Sequence, residues 1–408
     1  MKHIQRKKYL KRILSLKDSH RTIVVTGMHG SGKSVFLGEL ARELKKPQED
    51  SGRPPFRVVQ VSDGENIRTG KDLIAKAREL GSGPSALLID NADRIGDIAD
   101  AVREIHRSYA VTIVLTAAEE TDEMADGITA AEQSSPALLH LLPFSYQEFL
   151  ELHEIPDSHA SLEHYGECGG LPENNALPPG SPEAGHFRTF LADSFILTEI
   201  IERKNIRNPG HIRALLELAA RSSGEVLSAR QIREALAADH ITISPQAALD
   251  YLSHCKKAGL LAPVPVFDIN AGKLLSSGMV WYFGDTGLRN AFVKTRSLKS
   301  ADQTIENLVF LKLLEDGWDI QRGRTDCGRN LREDISFICG RDGRKVYIQV
   351  TGGSPGAAAI ERKKRALLAV RDAWPKYCIN STGETGIEDG IRQVLVRDFL
   401  LGRKETGA

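Results

Sequence analysis

An α/β fold built on a parallel sheet is predicted for the first part of this chain, and three observations predict it. The apolar run Ile23-Val24-Val25 leads into Gly27-Met28-His29-Gly30-Ser31-Gly32-Lys33-Ser34, which fits G-x-x-x-x-G-K-[ST]. Leu37, Leu40, Ala41 and Leu44 then recur at helical spacing, so strand, glycine-rich loop and helix stand in the order a phosphate loop needs. Strand-like and helix-like segments go on alternating beyond it, the pattern of a parallel sheet covered on both faces.

In chain order, Val58-Val59-Gln60-Val61 reads as a strand and 71–80 as a helix. Ala86-Leu87-Leu88-Ile89-Asp90 is an apolar strand closed by a carboxylate, 95–109 a helix, 111–116 a strand and 137–142 a last short strand. Ligands of such sheets bind beyond the carboxyl ends of the strands, where the glycine-rich loop and Asp90 both fall. A Pro-, Gly- and Asn-rich stretch from Gly170 to Glu183 closes this unit, whose expected span is 1–175. Helices are then expected at 196–202, 211–221, 228–238 and 245–257, the last capped by Ser244 with Pro245 in its first turn. The runs 261–266 and 279–283 pair as a hairpin across 268–277. Helices closed by a hairpin predict a winged helix-turn-helix over 190–295. A second αβ pattern occupies 300–408, with no internal repeat and no low-complexity tail.

The 408 residues suggest a modular chain of roughly two to four domains. With 41% hydrophobic and 26% charged residues the composition is that of a globular protein. Lys+Arg and Asp+Glu both number 54, so no whole-chain field points to nucleic acid or membrane, and any such partner must be met by a local patch. The five cysteines are scattered and never form C-x-x-C, which speaks against a disulfide framework or a structural zinc site and for a reducing compartment. The basic start, Lys2 to Arg12, is not followed by an apolar segment, and no stretch is long and apolar enough to span a bilayer. A cytoplasmic location with no membrane partner is the expectation.

The motif carries its own chemistry. Glycines let successive backbone N–H groups converge on a phosphate, Lys33 reaches the β/γ oxygens and the Ser34 hydroxyl is placed for Mg²⁺. Nucleotide contacts are expected from Gly27 through Met28, His29, Gly30, Ser31, Gly32, Lys33 and Ser34 to Val35, with ATP and Mg²⁺ as cofactors. Asp90 holds Mg²⁺ directly or through water. Hydrolysis normally needs a neighbouring carboxylate to orient the attacking water, and Asn91 occupies that position. Asp93 is the nearest acid and Thr116 a candidate γ-phosphate sensor; a helix cap and a strand end are their alternative roles.

The order of motifs resembles the prokaryotic AAA-type P-loop ATPases that carry a winged helix and a C-terminal restriction-endonuclease-like domain of unknown function. The resemblance spans nearly the whole chain. It rests on Arg6-Lys7-Lys8-Tyr9-Leu10, the phosphate loop, Asp90, Leu142-Pro143-Phe144-Ser145-Tyr146-Gln147-Glu148-Phe149-Leu150 and Gly169-Gly170-Leu171-Pro172-Glu173. It continues in Trp281-Tyr282-Phe283-Gly284-Asp285-Thr286-Gly287-Leu288, Ile305-Glu306-Asn307-Leu308-Val309, Tyr347-Ile348-Gln349-Val350 and Asp398-Phe399-Leu400-Leu401. The family usually shows Asp-Glu at Asp90-Asn91 and Thr-Gly-Ser at Thr116-Ala117-Ala118, and an arginine near Ser134-Ser135. These departures imply slow hydrolysis and leave nucleotide binding to Lys33, Ser34 and Asp90.

The resemblance also implies a nuclease-like site that has lost its chemistry. A metal-dependent nuclease needs carboxylates and a lysine. Glu306 supplies one carboxylate; strand alternation sets Asp334 and Ser336 on one face and Ile335 and Phe337 on the other. Ser336 replaces a family Asp, and Gln349 and Thr351 stand where an active enzyme has Glu and Lys. The run Glu361-Arg362-Lys363-Lys364-Arg365 is a solvated helix face or, with Arg322, Arg324, Arg329 and Arg332, a nucleic-acid patch. In the winged-helix segment, Gln246, Asp250, Ser253, His254, Lys256 and Lys257 of the expected recognition helix 245–257 offer a face for DNA, with a protein-interaction or structural role as the alternative. The whole reads as a slow ATPase or nucleotide-dependent switch; a non-hydrolysing ATP-binding interaction module and an ATP-dependent DNA nuclease are its competitors.

Overall fold

The structure, a computed structural model, describes residues 4–17, 21–46, 55–62, 64–81, 83–117, 122–132, 135–177, 181–202, 206, 208–293, 297–328, 331–352, 357–383 and 385–403. The chain divides into two compact units, Met1–Leu142 with Lys257–Gly259, and Pro143–Lys256 with Leu260–Ala408. Ala118, Ser134 and Arg329 of the sequence argument lie outside the described residues.

In the first unit α1 (Lys7–Leu16) precedes β1 (Thr22–Thr26), followed by α2 (Lys33–Leu44), β2 (Arg57–Val61), α3 (Gly70–Ala77), β3 (Ser85–Ile89), α4 (Ile98–Ser108), β4 (Val111–Thr116), α5 (Asp122–Glu132) and β5 (Ala137–His140). The strands form a parallel sheet in the order β2-β3-β4-β1-β5. Along β1, Ile23 and Val25 share a core with Phe36, Leu37 and Leu40 of α2 and Tyr9, Leu10 and Ile13 of α1. Val24 faces the other way, into a core with Leu73, Val102 and Ile105. Each such side chain contributes roughly 1.5–3 kcal/mol on burial, so a strand apolar on both faces is fixed at the centre of the sheet. Register then sets the site. Val25 pairs with Thr116 and Ile89 with Leu115, so Val25, Thr116 and Asp90 lie level at the carboxyl edge.

Boundaries differ from the sequence reading where capping decides them. The helix expected at 71–80 starts at Gly70 behind Thr69, whose hydroxyl accepts from Asp72 N while Asp72 accepts from Thr69 N, and it tightens into a 3₁₀ turn at Arg78–Leu80. The helix expected from 95 starts at Ile98, because Ala92–Arg94 forms a 3₁₀ turn and Asp97 turns left-handed with φ 56°. The sequence reading missed α1 and α5.

The second unit opens with α6 (Tyr146–His153), α7 (His159–Cys168) and α8 (Pro182–Phe195), which runs on as a π-helical turn at Ile196–Glu202. There follow α9 (Pro209–Arg221), β6 (Val226–Leu227), α10 (Ala229–Ala238), α11 (Pro245–Lys257), β7 (Leu261–Asp268), β8 (Lys273–Phe283) and α12 (Thr286–Ala291). The last part holds α13 (Leu298–Glu315), β9 (Asp319–Asp326), β10 (Arg332–Arg341), β11 (Arg344–Thr351), α14 (Ala357–Leu368), β12 (Lys376–Asn380), β13 (Gly386–Glu388), β14 (Ile391–Leu395) and α15 (Val396–Leu400).

Two expectations about organisation change here. The first unit ends at Leu142 rather than near 175, because Tyr146, Phe149, Leu162 and Tyr165 share a core with Phe310, Phe337 and Ile348 of the C-terminal strands and helix. The hairpin β7-β8 does not stand apart from the C-terminal strands. It pairs through β7, in parallel, with β9, giving one sheet in the order β13-β14-β12-β11-β10-β9-β7-β8-β6 within the second compact unit.

Asp285 explains why two distant motifs occur together. Its buried carboxylate accepts from Gly170 N at 2.7 Å, Leu171 N at 3.1 Å and Leu288 N at 2.9 Å, tying Gly169-Gly170-Leu171 to Asp285-Thr286-Gly287. A side chain at Gly287 would meet Cys168 O at 2.0 Å, so only glycine fits.

Candidate functional site: a phosphate loop and a second cleft

The phosphate loop leaves β1 at Gly27, where a Cβ would lie 2.5 Å from Leu141 O. It enters α2 through Gly32, left-handed with φ 92°, at the helix N-cap. No acidic residue occupies the first turn of α2, so the positive end of the helix is uncompensated and available to an anion. Lys33 is 6% exposed and its ammonium donates to Gly27 O at 2.8 Å and Met28 O at 2.9 Å, closing the loop on itself. His29, Ser34 and Val35 are exposed, Met28 and Ser31 buried, and Gly30 half-buried.

At the neighbouring strand ends, the Thr116 hydroxyl donates to Asp90 Oδ1 at 2.6 Å and accepts from Asn91 N at 2.9 Å. One Asp90 oxygen is thereby fixed, and Asp90 N is held by Val61 O at 3.0 Å. Thr116 is more than a strand end, since it orients the carboxylate. Asn91 adopts a left-handed turn with φ 50°. Asp93 lies half-buried in the 3₁₀ turn, and the N-cap of α4 is Asp97. An exposed Ser34 hydroxyl, the partly exposed Asp90 and an open helix N-terminus fit a Mg²⁺-nucleotide.

Arg6 is the residue that sequence reasoning undervalued. It is 3% exposed; Nη1 donates to Ser31 O at 3.4 Å, Nη2 to Leu142 O at 2.8 Å, and the guanidinium lies 4.8 Å from the Tyr9 ring centre. It therefore braces the phosphate loop against the end of the unit. Within the sequence its only signal is its place in Arg6-Lys7-Lys8-Tyr9-Leu10.

The second cleft, about 680 Å³, gathers Glu306, Asp334, Ser336 and Gln349 as expected, but not as metal ligands. Glu306 Oε1 accepts from Tyr282 OH and Arg322 Nη1, each at 2.7 Å, and Oε2 accepts from Ser336 Oγ at 3.2 Å. Asp334 pairs with Arg324 Nε at 3.0 Å. Burial opposes the Arg322 charge, yet Glu306 outweighs it and holds the guanidinium well above its usual value. Simple alternation along β10 fails. A bulge between Ile335 and Ile338 puts Ile335 in a core with α14 and Phe337 in the main core, so the two do not share a face. Among the described residues no group of three or more His, Cys, Asp or Glu is placed to hold a metal ion.

Of the two readings of the basic run, a solvated helix face or a nucleic-acid patch, the paired charges favour the first. Arg365 and Arg362 pair with Glu333 at 2.7 and 3.7 Å, Lys364 with Glu388 at 2.6 Å and Asp389 at 2.8 Å, and Lys363 donates to Val350 O at 2.6 Å. With Arg322 and Arg324 engaged as above, the cleft's cations are largely compensated. No helix among the described residues is long and apolar enough to cross a membrane.

Residues 5–127 match the family model described as Novel STAND NTPase 5, and residues 159–299 match one described as a domain of unknown function, DUF8612. A Haemophilus influenzae protein described as uncharacterized is 23% identical over 408 residues, 98% of each chain. Among solved structures, a Walker-type ATPase of Pyrococcus abyssi is similar over 71% of this chain and 96% of its own, at 14% identity and a TM-score of 0.49. The Aeropyrum pernix ORC1 protein, solved in complex with DNA, is similar over 71% of this chain and 92% of its own, at 14% identity and a TM-score of 0.31. The first unit thus carries a P-loop NTPase domain.

Proposed function

We propose that this chain is an ATP-binding nucleotide switch with slow hydrolysis, coupled to a winged helix and a degenerate nuclease-like domain. The hydrogen-bonded trio Asp90, Thr116 and Asn91 beside the phosphate loop carries the reading. Lys33, on release from Gly27 O and Met28 O, would reach the β/γ oxygens, and Ser34 and Asp90 would hold Mg²⁺. Bound Mg²⁺ supplies charge neutralisation on the phosphates. Asn91 cannot take a proton from water, which leaves Asp93 as the orienting acid and turnover low. The winged helix is supported by the order α9, β6, α10, α11, β7, β8 with strands arranged β7-β8-β6. The mixed charge of Gln246, Asp250, Ser253, Lys256 and Lys257, all exposed, fits a protein partner better than a phosphate backbone. The loss of nuclease chemistry is supported by Ser336 bonded to Glu306 and by Arg322 seated on the same carboxylate.

Mg-ATP at a hundredfold excess over Kd is expected to contribute about 2.7 kcal/mol to the first unit, roughly 5–10 °C in its thermal transition. Lys33→Ala should abolish the shift in a melting experiment. An equal shift in the variant would place the nucleotide elsewhere.

A further inference from the structure

On one face of the C-terminal sheet, towards the carboxyl ends of β11, β12 and β14, uncharged polar side chains line up. Gln349 is in register with Cys378, Thr351 with Asn380, and Cys378 with Gln393. They line a cavity of about 700 Å³ whose remaining walls include Ile360 of α14 and Ile387 of β13. Elsewhere this face is apolar, with Ile335, Ile338, Leu367 and Ile391 packed together. Gln349 is 3% exposed, Thr351 5% and Asn380 9%.

Two of these groups have unmet hydrogen-bonding capacity. Asn380 Nδ2 donates to Gln393 Oε1 at 3.4 Å, but its Oδ1 is buried with no hydrogen-bond partner. Gln349 Oε1 accepts from Ser336 N at 3.0 Å, while its amide N–H₂ donates to nothing among the described residues. Buried polar groups are nearly always satisfied, so the unpartnered Asn380 Oδ1, with the Gln349 amide on the same cavity wall, marks a place for a ligand's polar edge. The wall's cations are already engaged, Lys364 by Glu388 and Asp389 and Lys363 by Val350 O, which disfavours an anion.

We propose that this cavity binds a nucleobase-type group: planar, uncharged, with a hydrogen-bond acceptor for Gln349 Nε2 and a donor for Asn380 Oδ1 on one edge. The volume is within the roughly 300–1,000 Å³ of small-ligand pockets. Ile360 and Ile387, 44% and 70% exposed, supply apolar surface for the ring. The group belongs to a free nucleoside or to an unpaired base of a single strand, which present the same edge. The proposal is independent of nucleotide binding at Lys33.

The test titrates the full chain with adenosine, cytidine, guanosine and thymidine, with a short single-stranded oligodeoxynucleotide, and with the same strand made abasic, read by ligand-observed NMR and calorimetry. Saturable binding of a base-bearing probe is expected, kept in Lys33→Ala and weakened tenfold or more in Asn380→Leu and Ile387→Asp. Nucleoside binding identifies a free ligand; binding of the oligonucleotide alone, lost when abasic, identifies an unpaired base. If Asn380→Leu does not fold, the exposed Ile387→Asp decides. No saturable binding at millimolar probe overturns the proposal. So does unchanged affinity in the variants, whether or not the Asn380→Leu melting temperature falls, since that would make Asn380 merely structural.

Discussion

Arg6 shows at the scale of one residue what a sequence conceals. Its side chain meets a carbonyl 136 positions away, a contact that no local spacing announces. Gly27, Gly32 and Lys33 are the opposite case: their chemistry is local, so the pattern of residues is nearly the geometry. Arg6→Ala would leave Ser31 O and Leu142 O without their donors, at about 1–3 kcal/mol per buried unsatisfied group. The first unit should therefore melt earlier and bind ATP more weakly, because Ser31 is part of the loop. Arg6→Lys should rescue only in part, since one ammonium cannot reproduce the guanidinium fork. Melting curves and calorimetric affinities of the two variants check this, and wild-type affinity in Arg6→Ala would remove the bracing role.

Among elements, the parallel strands were legible because they are continuous apolar runs, and the ends of α3 and α4 were not because caps and 3₁₀ turns set them. The helices α6 and α7 were harder. Their apolar faces are visible in Tyr146, Phe149, Leu162 and Tyr165, but which core receives them is a tertiary fact. Asp157, between these helices, ties them to the C-terminus, accepting from Arg403 at 2.7 Å, Arg397 at 3.1 Å and Tyr146 OH at 3.0 Å. Burial raises its pKa, yet Arg403, Tyr146 and Arg397 together hold it below the usual 3.8. A depressed carboxylate contributes stability that is present above the unfolded value and lost as pH falls through the folded one. Acid unfolding of the second unit below about pH 4 should thus be blunted in Asp157→Asn, which starts less stable at neutral pH. Parallel acid branches in wild type and variant would contradict the assignment.

Across the whole molecule, the sequence marked an N-terminal P-loop NTPase unit, but not the long-range pairing that joins the hairpin to the C-terminal strands. Pairing of β7 with β9 is long-range, and the bulge in β10 has no mark in Asp334-Ile335-Ser336-Phe337. The ion pairs that silence the basic run are equally invisible, since Glu333 and Glu388 lie far from Arg365 and Lys364 in sequence. Purified protein with Mg²⁺ or Mn²⁺ should leave linear and supercoiled DNA intact, and any binding should weaken steeply with salt. Cleavage lost on Glu306→Ala and Asp334→Ala would restore the nuclease reading. The central claim, a nucleotide switch limited by position 91, is tested most directly by steady-state ATP turnover of wild type, Lys33→Ala, Asp93→Asn and Asn91→Glu, with and without DNA. The account predicts wild-type turnover well below the roughly 10 s⁻¹ typical of enzymes, none in Lys33→Ala, less in Asp93→Asn, and a gain in Asn91→Glu towards the 10²–10⁴-fold a general base supplies. Fast wild-type turnover, or turnover that persists in Lys33→Ala, would contradict it.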